Sequence, residues 1–385
     1  MPSMSVLESK ILGCLYGGAA GDAIGAPAEG RDPEEIAARY GQILGLVEPW
    51  NGPGPLGKGD GRYTDDTHMI QILGQIYLDV QDHLDVFTFA ERIVPPIADV
   101  PRYVAEYGKE MLLIDRLFYP EKWLLMRLRL ANADPRLGGV GNMVNCGAAM
   151  YASPVGIVNA ADPERAYREA IEIFGAHQYS FGLEAAGVLA AAIAAAFIPG
   201  ITVDEVIQTA IRLANEGTRL ALDAVIERAA GIGTWEDAIG PLRDAMRPFD
   251  TAAEVFLDRG TKTDHWSPSR LHSIEEVPIA LGMLKVANGD LQKSIFGGAN
   301  YGRDCDSIAG MAGALAGAMH GVDAVPAAWI DAIDCENKCD MRPLAKGLAT
   351  LSGILLERQI TKLEERTVFM KQLANTNHTW GANKK

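Results

Sequence analysis

The sequence predicts an all-α protein, and three observations carry that expectation. Apolar residues recur near i, i+3, i+4 and i+7 along eleven segments. Strand-like alternation is almost absent. Several helix starts also carry recognisable caps: Asp162 precedes Pro163, and Thr202 precedes Val203-Asp204-Glu205.

In chain order, the spacing predicts helices over Val6 to Ala20, Asp65 to Val80, Phe87 to Pro95, Glu121 to Ala131, Pro163 to Phe174 and Phe181 to Phe197. It continues with Val203 to Ala229, Ile274 to Ala287, Asp306 to His320, Pro326 to Asn337 and Arg342 to Arg358. The longest apolar run, Ala185 to Ile198, has 14 residues. That is short of the ~20 needed to span a bilayer, and its alanine content reads as a buried helix packed closely on its neighbours. The tail after Leu356 reads as a peripheral helix with a frayed end. No long linker or fixed repeat divides the chain, so the expected organisation is one helical domain over residues 1–360 and a C-terminal helix and tail over 361–385. Three loops break the helical regularity: Pro49 to Tyr63, Leu137 to Asn145 and Thr261 to His272.

Composition narrows the function classes. The 385 residues include 35 Lys and Arg against 50 Asp and Glu, a net charge of −15. Such a field repels phosphate backbones and anionic lipid, which disfavours nucleic-acid and membrane-surface binding. Five cysteines in so long a chain point to a reducing, cytoplasmic setting rather than a disulfide framework. Cys335 and Cys339 sit four apart, but no second Cys or His pair follows at zinc-finger spacing.

Chemistry concentrates in three segments. Thr64-Asp65-Asp66 lies where a Gly/Pro-rich loop enters a helix, and Asp304-Cys305-Asp306-Ser307 repeats the arrangement about 240 residues later. Each set offers hard oxygen donors suited to Mg²⁺, Mn²⁺ or Ca²⁺, although Thr and Asp at a helix start also serve as plain caps. Two such sets suggest one two-metal site built from distant helix N-termini, because carboxylates crowded together repel without a cation. The third segment, Gly17 to Glu29, is dense in small residues that let helices approach closely. It adds Asp22, readable as a backbone cap, and Glu29, the better functional candidate.

Gly-Asp-Ala-x-Gly-x-Pro-x-Glu at residues 21–29, then Tyr63-Thr-Asp-Asp-Thr67, Asn145-Cys-Gly-Ala-Ala-Met150, and Gly302-x-Asp-x-Asp-Ser-Ile-Ala309 together resemble the ADP-ribosylglycohydrolase family. The resemblance spans roughly Leu12 to Gly321. It implies a compact all-α fold of orthogonal helices and two Mg²⁺ or Mn²⁺ ions, held by the positions of Thr64, Asp65, Asp66, Asp304, Asp306 and Ser307. The position of Glu29 then lies beside the metals. His177 resembles a pocket-lining histidine of the family; a solvent-facing cap is the plainer reading of the same residue. Several positions depart from the commoner pattern: Cys305 and Ser307 stand where Thr is usual, Cys146 replaces Asn, Tyr151 replaces Arg, and Arg303 stands where Gly is common; Ser307 can still donate a hydroxyl oxygen to a metal. The departures fall on the substrate side, so a small free riboside stands beside an ADP-ribosylated protein as a possible substrate.

The leading expectation is a glycosidase acting on a bond to ribose, with Glu29, Asp65 and Asp304 as catalytic carboxylates and two divalent cations as cofactor. Asn145, Gly147, Tyr151, His177, Trp266 and Arg303 form the expected substrate-binding set. Trp266 in the loop beside His265 could stack a base or sugar, although a hydrophobic anchor for that loop is the plainer reading, and Arg303 could fork onto a phosphate or a substrate carboxylate or simply offset Asp304 and Asp306. A silent ADP-ribose-binding module and a metal-stapled structural protein remain the competing classes.

Overall fold

The computed structural model describes residues 4–143, 145–249 and 274–375, and these contain seventeen α-helices. They are α1 (Val6–Gly25), α2 (Pro33–Tyr40), α3 (Asp65–Val80), α4 (Val86–Ala98), α5 (Leu113–Arg116), α6 (Tyr119–Leu124), α7 (Ser153–Val158), α8 (Pro163–Phe174) and α9 (Ser180–Ala196). There follow α10 (Val203–Leu213), α11 (Glu216–Ala229), α12 (Trp235–Met246), α13 (Glu276–Val286), α14 (Leu291–Tyr301), α15 (Cys305–His320), α16 (Ala327–Asn337) and α17 (Arg342–Asn375). The architecture is all-α, as the spacing predicts.

Small residues set the centre of the fold. Gly13, Gly17, Gly21 and Gly25 recur every four residues and so line one face of α1. That face lies on α15 running the other way: Gly13 meets Gly317, Gly17 meets Gly313, Gly21 meets Ala309 and Gly25 meets Cys305. A Cβ added at Gly17 would fall 2.3 Å from the Gly313 carbonyl oxygen, and one at Gly21 would fall 2.0 Å from that of Ala309. Only glycine admits so close an approach of backbones. The Cys305 thiol completes the seam by donating to the Gly25 carbonyl at 3.3 Å. Because the two helices are antiparallel, the C-terminal end of α1 arrives at the N-terminal end of α15. The remaining helices close one buried apolar cluster around this pair, reaching from Ile11 to Leu355.

Four features depart from the sequence expectation. A short antiparallel hairpin is present, β1 (Pro101–Val104) paired with β2 (Lys109–Leu112) in the register Pro101 to Leu112. Its four-residue strands are too short to show alternation. The expected helix over Val203 to Ala229 is two, because Ala214 turns extended at ψ 146° and Asn215 is captured by Glu184, which accepts its backbone N–H at 2.8 Å. Helices α2, α5, α7, α12 and α14 were not anticipated. Trp235, Ala238, Leu242 and Met246 do form a buried stripe in α12, but Gly240 and Pro241 interrupt the pattern. Finally, α17 runs unbroken from Arg342 to Asn375, so the expected boundary at residue 360 falls inside one helix; Leu355 is its last buried residue. Among the described residues no helix is long and apolar enough to cross a membrane.

Candidate functional site

The seam between α1 and α15 delivers Asp22 to the start of α3. Its carboxylate accepts the Thr64 backbone N–H at 3.0 Å, the Thr67 N–H at 3.1 Å and the Thr67 hydroxyl at 2.6 Å. A residue 42 positions away thus caps this helix alongside its local cap, Thr64, whose Oγ1 accepts from the Asp66 N–H at 3.4 Å. The N-termini of α3 and α15 therefore converge, and both present the positive end of a helix dipole to the carboxylates between them.

The two sequence motifs meet there. The Ser307 hydroxyl donates to Asp66 Oδ2 at 2.8 Å across 241 residues of chain. Thr64, Asp65, Asp66, Asp306 and Ser307 are buried and Asp304 is half-buried. Oxygens of Glu29, Asp304 and Asp306 lie within 4.8 Å of one another. Burial raises Asp66 and Asp304 well above the usual carboxylate range, and neighbouring aspartates raise them further. Asp22 rises to about 7, first through burial and then through Asp306. Asp306 Oδ1 is buried with no hydrogen-bond partner among the described residues. A set of hard, crowded oxygens with an orphaned carboxylate atom fits a divalent cation.

Two cations of the protein already enter the cluster. Arg116 on α5 places Nη1 2.6 Å from Asp65 Oδ1 and Nε 2.5 Å from Glu106 Oε1. Burial opposes its charge, but Asp65 and Glu106 outweigh that and keep it firmly protonated. Lys58 pairs with Glu29, its Nζ 3.8 Å from Asp306 Oδ2. It rides on the Gly-rich loop, where Gly59 at φ 146° passes so close to Pro49 that a Cβ would fall 2.6 Å from the Pro49 nitrogen. Beside it opens a cavity of 330 Å³ lined by Glu29, Arg31, Trp50, Asn51 and Lys58.

The expected substrate residues divide. Asn145 and Gly147 lie over Glu121: Asn145 Nδ2 donates to Glu121 Oε1 at 2.9 Å, and a Cβ on Gly147 would fall 2.1 Å from the same oxygen. Glu121 rises to about 7 through burial and then Asp65. Tyr151 and His177 are wholly buried, which corrects the expectation that they line the pocket. His177 Nε2 faces the Pro120 carbonyl at 3.2 Å and must donate to it, so Nδ1 accepts from the Tyr151 hydroxyl at 2.9 Å. Burial lowers His177 to about 3 and holds it neutral. Arg303, at φ 55°, is engaged by Glu275 at 2.7 Å, which also accepts from the Tyr301 hydroxyl at 2.6 Å. That pairing occupies Nη1 of the guanidinium and anchors Arg303 within the protein. Trp266 and His265 lie outside the described residues.

Sequence reasoning missed Lys58, Arg116 and Glu121 altogether. The Gly-rich loop was a signal for Lys58. The others sit in helices or a hairpin neighbourhood where nothing local distinguishes them from surface charge.

Comparison with known proteins gives a consistent likeness. A sequence model of the family described as ADP-ribosylglycohydrolase matches residues 3–357. The uncharacterized protein YegU of Escherichia coli (strain K12) is 26% identical over 348 residues, covering 88% of this chain and 96% of its own. The ADP-ribosylhydrolase ARH3 of Bos taurus is 26% identical over 366 residues, covering 88% of this chain and 92% of its own. A solved chain from an ADP-ribosylglycohydrolase-related protein complex shares the fold at TM-score 0.58 and 21% identity, over 90% of this chain and 99% of its own.

Proposed function

The chain belongs to the ADP-ribosylglycohydrolase family, and from that premise we propose that it is a two-metal hydrolase cleaving the N- or O-glycosidic bond between ribose and a leaving group in ADP-ribosyl substrates. The observation that carries this reading is the Ser307 to Asp66 hydrogen bond, which joins two acidic motifs into one buried cluster. Thr64, Asp65, Asp66, Asp304, Asp306 and Ser307 are the residues that would hold two Mg²⁺ or Mn²⁺ ions. Divalent cations, when bound, supply positive charge that orients ribose hydroxyls and acidifies water.

The chain's own residues then have separable tasks. Cleaving a bond at the anomeric carbon builds oxocarbenium-like charge, which the surrounding carboxylates favour. Glu29 lies at the edge of the cluster beside the 330 Å³ cavity, where its carboxylate can accept a proton from an attacking water. Arg116 fixes the rotamer of Asp65, and Asp22 fixes the loop at Thr64. Glu121 and Gln178 hold the Asn145 side chain from two sides, Gln178 Nε2 donating to Asn145 Oδ1 at 2.8 Å, and this shapes the wall at Gly147.

The case for a small free riboside draws on Cys146, Tyr151 and Arg303. Tyr151 is buried against His177 and Arg303 is engaged by Glu275, so two of the three bear on internal packing, and the ADP-ribosyl reading is preferred. The test is turnover of ADP-ribosyl-arginine, ADP-ribosyl-serine, O-acetyl-ADP-ribose and simple nucleosides, with and without Mg²⁺ or Mn²⁺. Metal-dependent release of ADP-ribose is expected. Binding of ADP-ribose without turnover of any substrate would make the protein a silent module and overturn the reading.

A further inference from the structure

Cys146 stands directly against the acidic cluster, and its neighbours are unusual. Its thiol donates to Asp304 Oδ2 at 3.5 Å. On the other side lies Glu276, the first residue of α13, buried, with Oε2 lacking a hydrogen-bond partner among the described residues. Donor atoms of Cys146, Glu276 and Asp304 lie within 4.8 Å of one another. The cation named nearby, Arg303, directs Nη1 to the adjacent Glu275. A carboxylate buried with an orphaned oxygen is costly unless a cation or a proton meets it.

We propose that Cys146, Glu276 and Asp304 form a three-donor site for a borderline-soft transition-metal ion such as Zn²⁺ or Co²⁺. Three chain segments contribute: the loop before Ala149, the start of α13 and the cap of α15. Thiolate sulfur selects softer ions, whereas the oxygen-only motifs suit Mg²⁺ or Mn²⁺. Two carboxylates and a thiolate neutralise and slightly overcompensate a divalent charge, and three protein donors leave a coordination position open, as catalytic zinc sites do. On binding, the sulfur–hydrogen bond breaks heterolytically: the electron pair stays on sulfur to form the metal bond and the proton passes to buffer. The site shares Asp304 with the proposed hydrolytic centre but owes Cys146 and Glu276 to neither acidic motif. It rests on the hydrolase reading only through that shared residue.

The experiment titrates metal-free full chain carrying Cys335→Ser, which removes the exposed thiol, with Co²⁺ under anaerobic conditions. A thiolate-to-cobalt charge-transfer band in the near ultraviolet is expected at one equivalent, displaced by Zn²⁺ and not by equimolar Mg²⁺. Cys146→Ser should abolish the band. Glu276→Gln should keep the band and weaken Co²⁺ binding by roughly tenfold or more, at least the loss typical of an outer-shell partner. Circular dichroism checks that each variant folds; if Cys146→Ser does not, the Glu276→Gln affinity decides. No band in the parent, or equal affinity in Glu276→Gln, overturns the site. Absence of the band alongside Mg²⁺-dependent ADP-ribose release would leave the hydrolase reading standing. A band with no turnover on any substrate would keep this site and remove that reading.

Discussion

Asp65 and Asp66 are adjacent in sequence and meet different partners, one a guanidinium and the other a hydroxyl from across the molecule. Arg116→Ala would leave Asp65 and Glu106 buried together without a cation. A loss of roughly 3–5 kcal/mol in stability is expected on that ground, read by denaturant unfolding. Asp66→Asn removes a carboxyl whose ionisation the buried cluster opposes, so near neutral pH the metal-free protein should become more stable while metal-dependent turnover is lost. Equal turnover in Asp66→Asn and wild type would refute the placement of Asp66 among the ligands.

Glu121 carries a pH signature at the same scale. Its carboxyl is protonated in folded and unfolded chains alike below its usual value of 4.5; as pH rises, the unfolded chain releases the proton while the folded one keeps it up to about 7. Folding is therefore penalised progressively across that interval, by up to about 3 kcal/mol for a single buried group. Melting curves of metal-free wild type and Glu121→Gln should diverge between about pH 5 and 8, wild type losing stability relative to the variant. Parallel curves would show that Glu121 stays near its ordinary value. The carboxylate motifs were legible in sequence because they are contiguous and sit at helix starts. Arg116, Lys58, Glu121 and Glu276 were not, because each gains its meaning from a partner on another element.

Among the elements, α1 and α15 make the most specific commitment. Gly17→Val forces a branched side chain into a gap where even a Cβ would be 2.3 Å from the Gly313 oxygen. The backbones must separate, at a cost of about 3 kcal/mol or more, and Asp22 must withdraw from Thr64. Thermal unfolding should show the loss, and calorimetry should show weaker Mn²⁺ binding. Gly233→Ala, with nothing within 4 Å of the added carbon, is the control and should behave as wild type. The small-residue character of α1 was readable in sequence, including the close approach it permits. The identity of its partner was not, since many Ala/Gly-rich segments offer an equally smooth face. Helix α14 was missed because its buried face includes Ser294, Gly297 and Gly298, which carry little hydropathy.

At the scale of the whole molecule, the apolar cluster ends at Leu355 while α17 continues for twenty residues with its side chains outward. A chain ending at Ile360 keeps the contacts of Arg358 with Gln81 and of Gln359 with His83, and should melt and turn over as the full chain does. A fall in melting temperature would show that the outer half of α17 bears on the body. The fold class was legible because helical periodicity survives in most segments. The hairpin and the break at Ala214 depended on contacts that no local window contains.

The glycine seam also imposes a timetable. Gly13 leaves the ribosome roughly 300 residues before its mate Gly317, an interval of about 15–60 s at ordinary elongation rates of 5–20 residues per second. Through that interval a nascent chain displays the bare groove of α1 and the first acidic motif, with Asp304 and Ser307 still unmade. Ion capture must therefore follow translation of α15 rather than guide the early chain. Stalled chains ending before Cys305 should be ready clients for chaperones and poor ligands for metal, whatever its concentration in the cell.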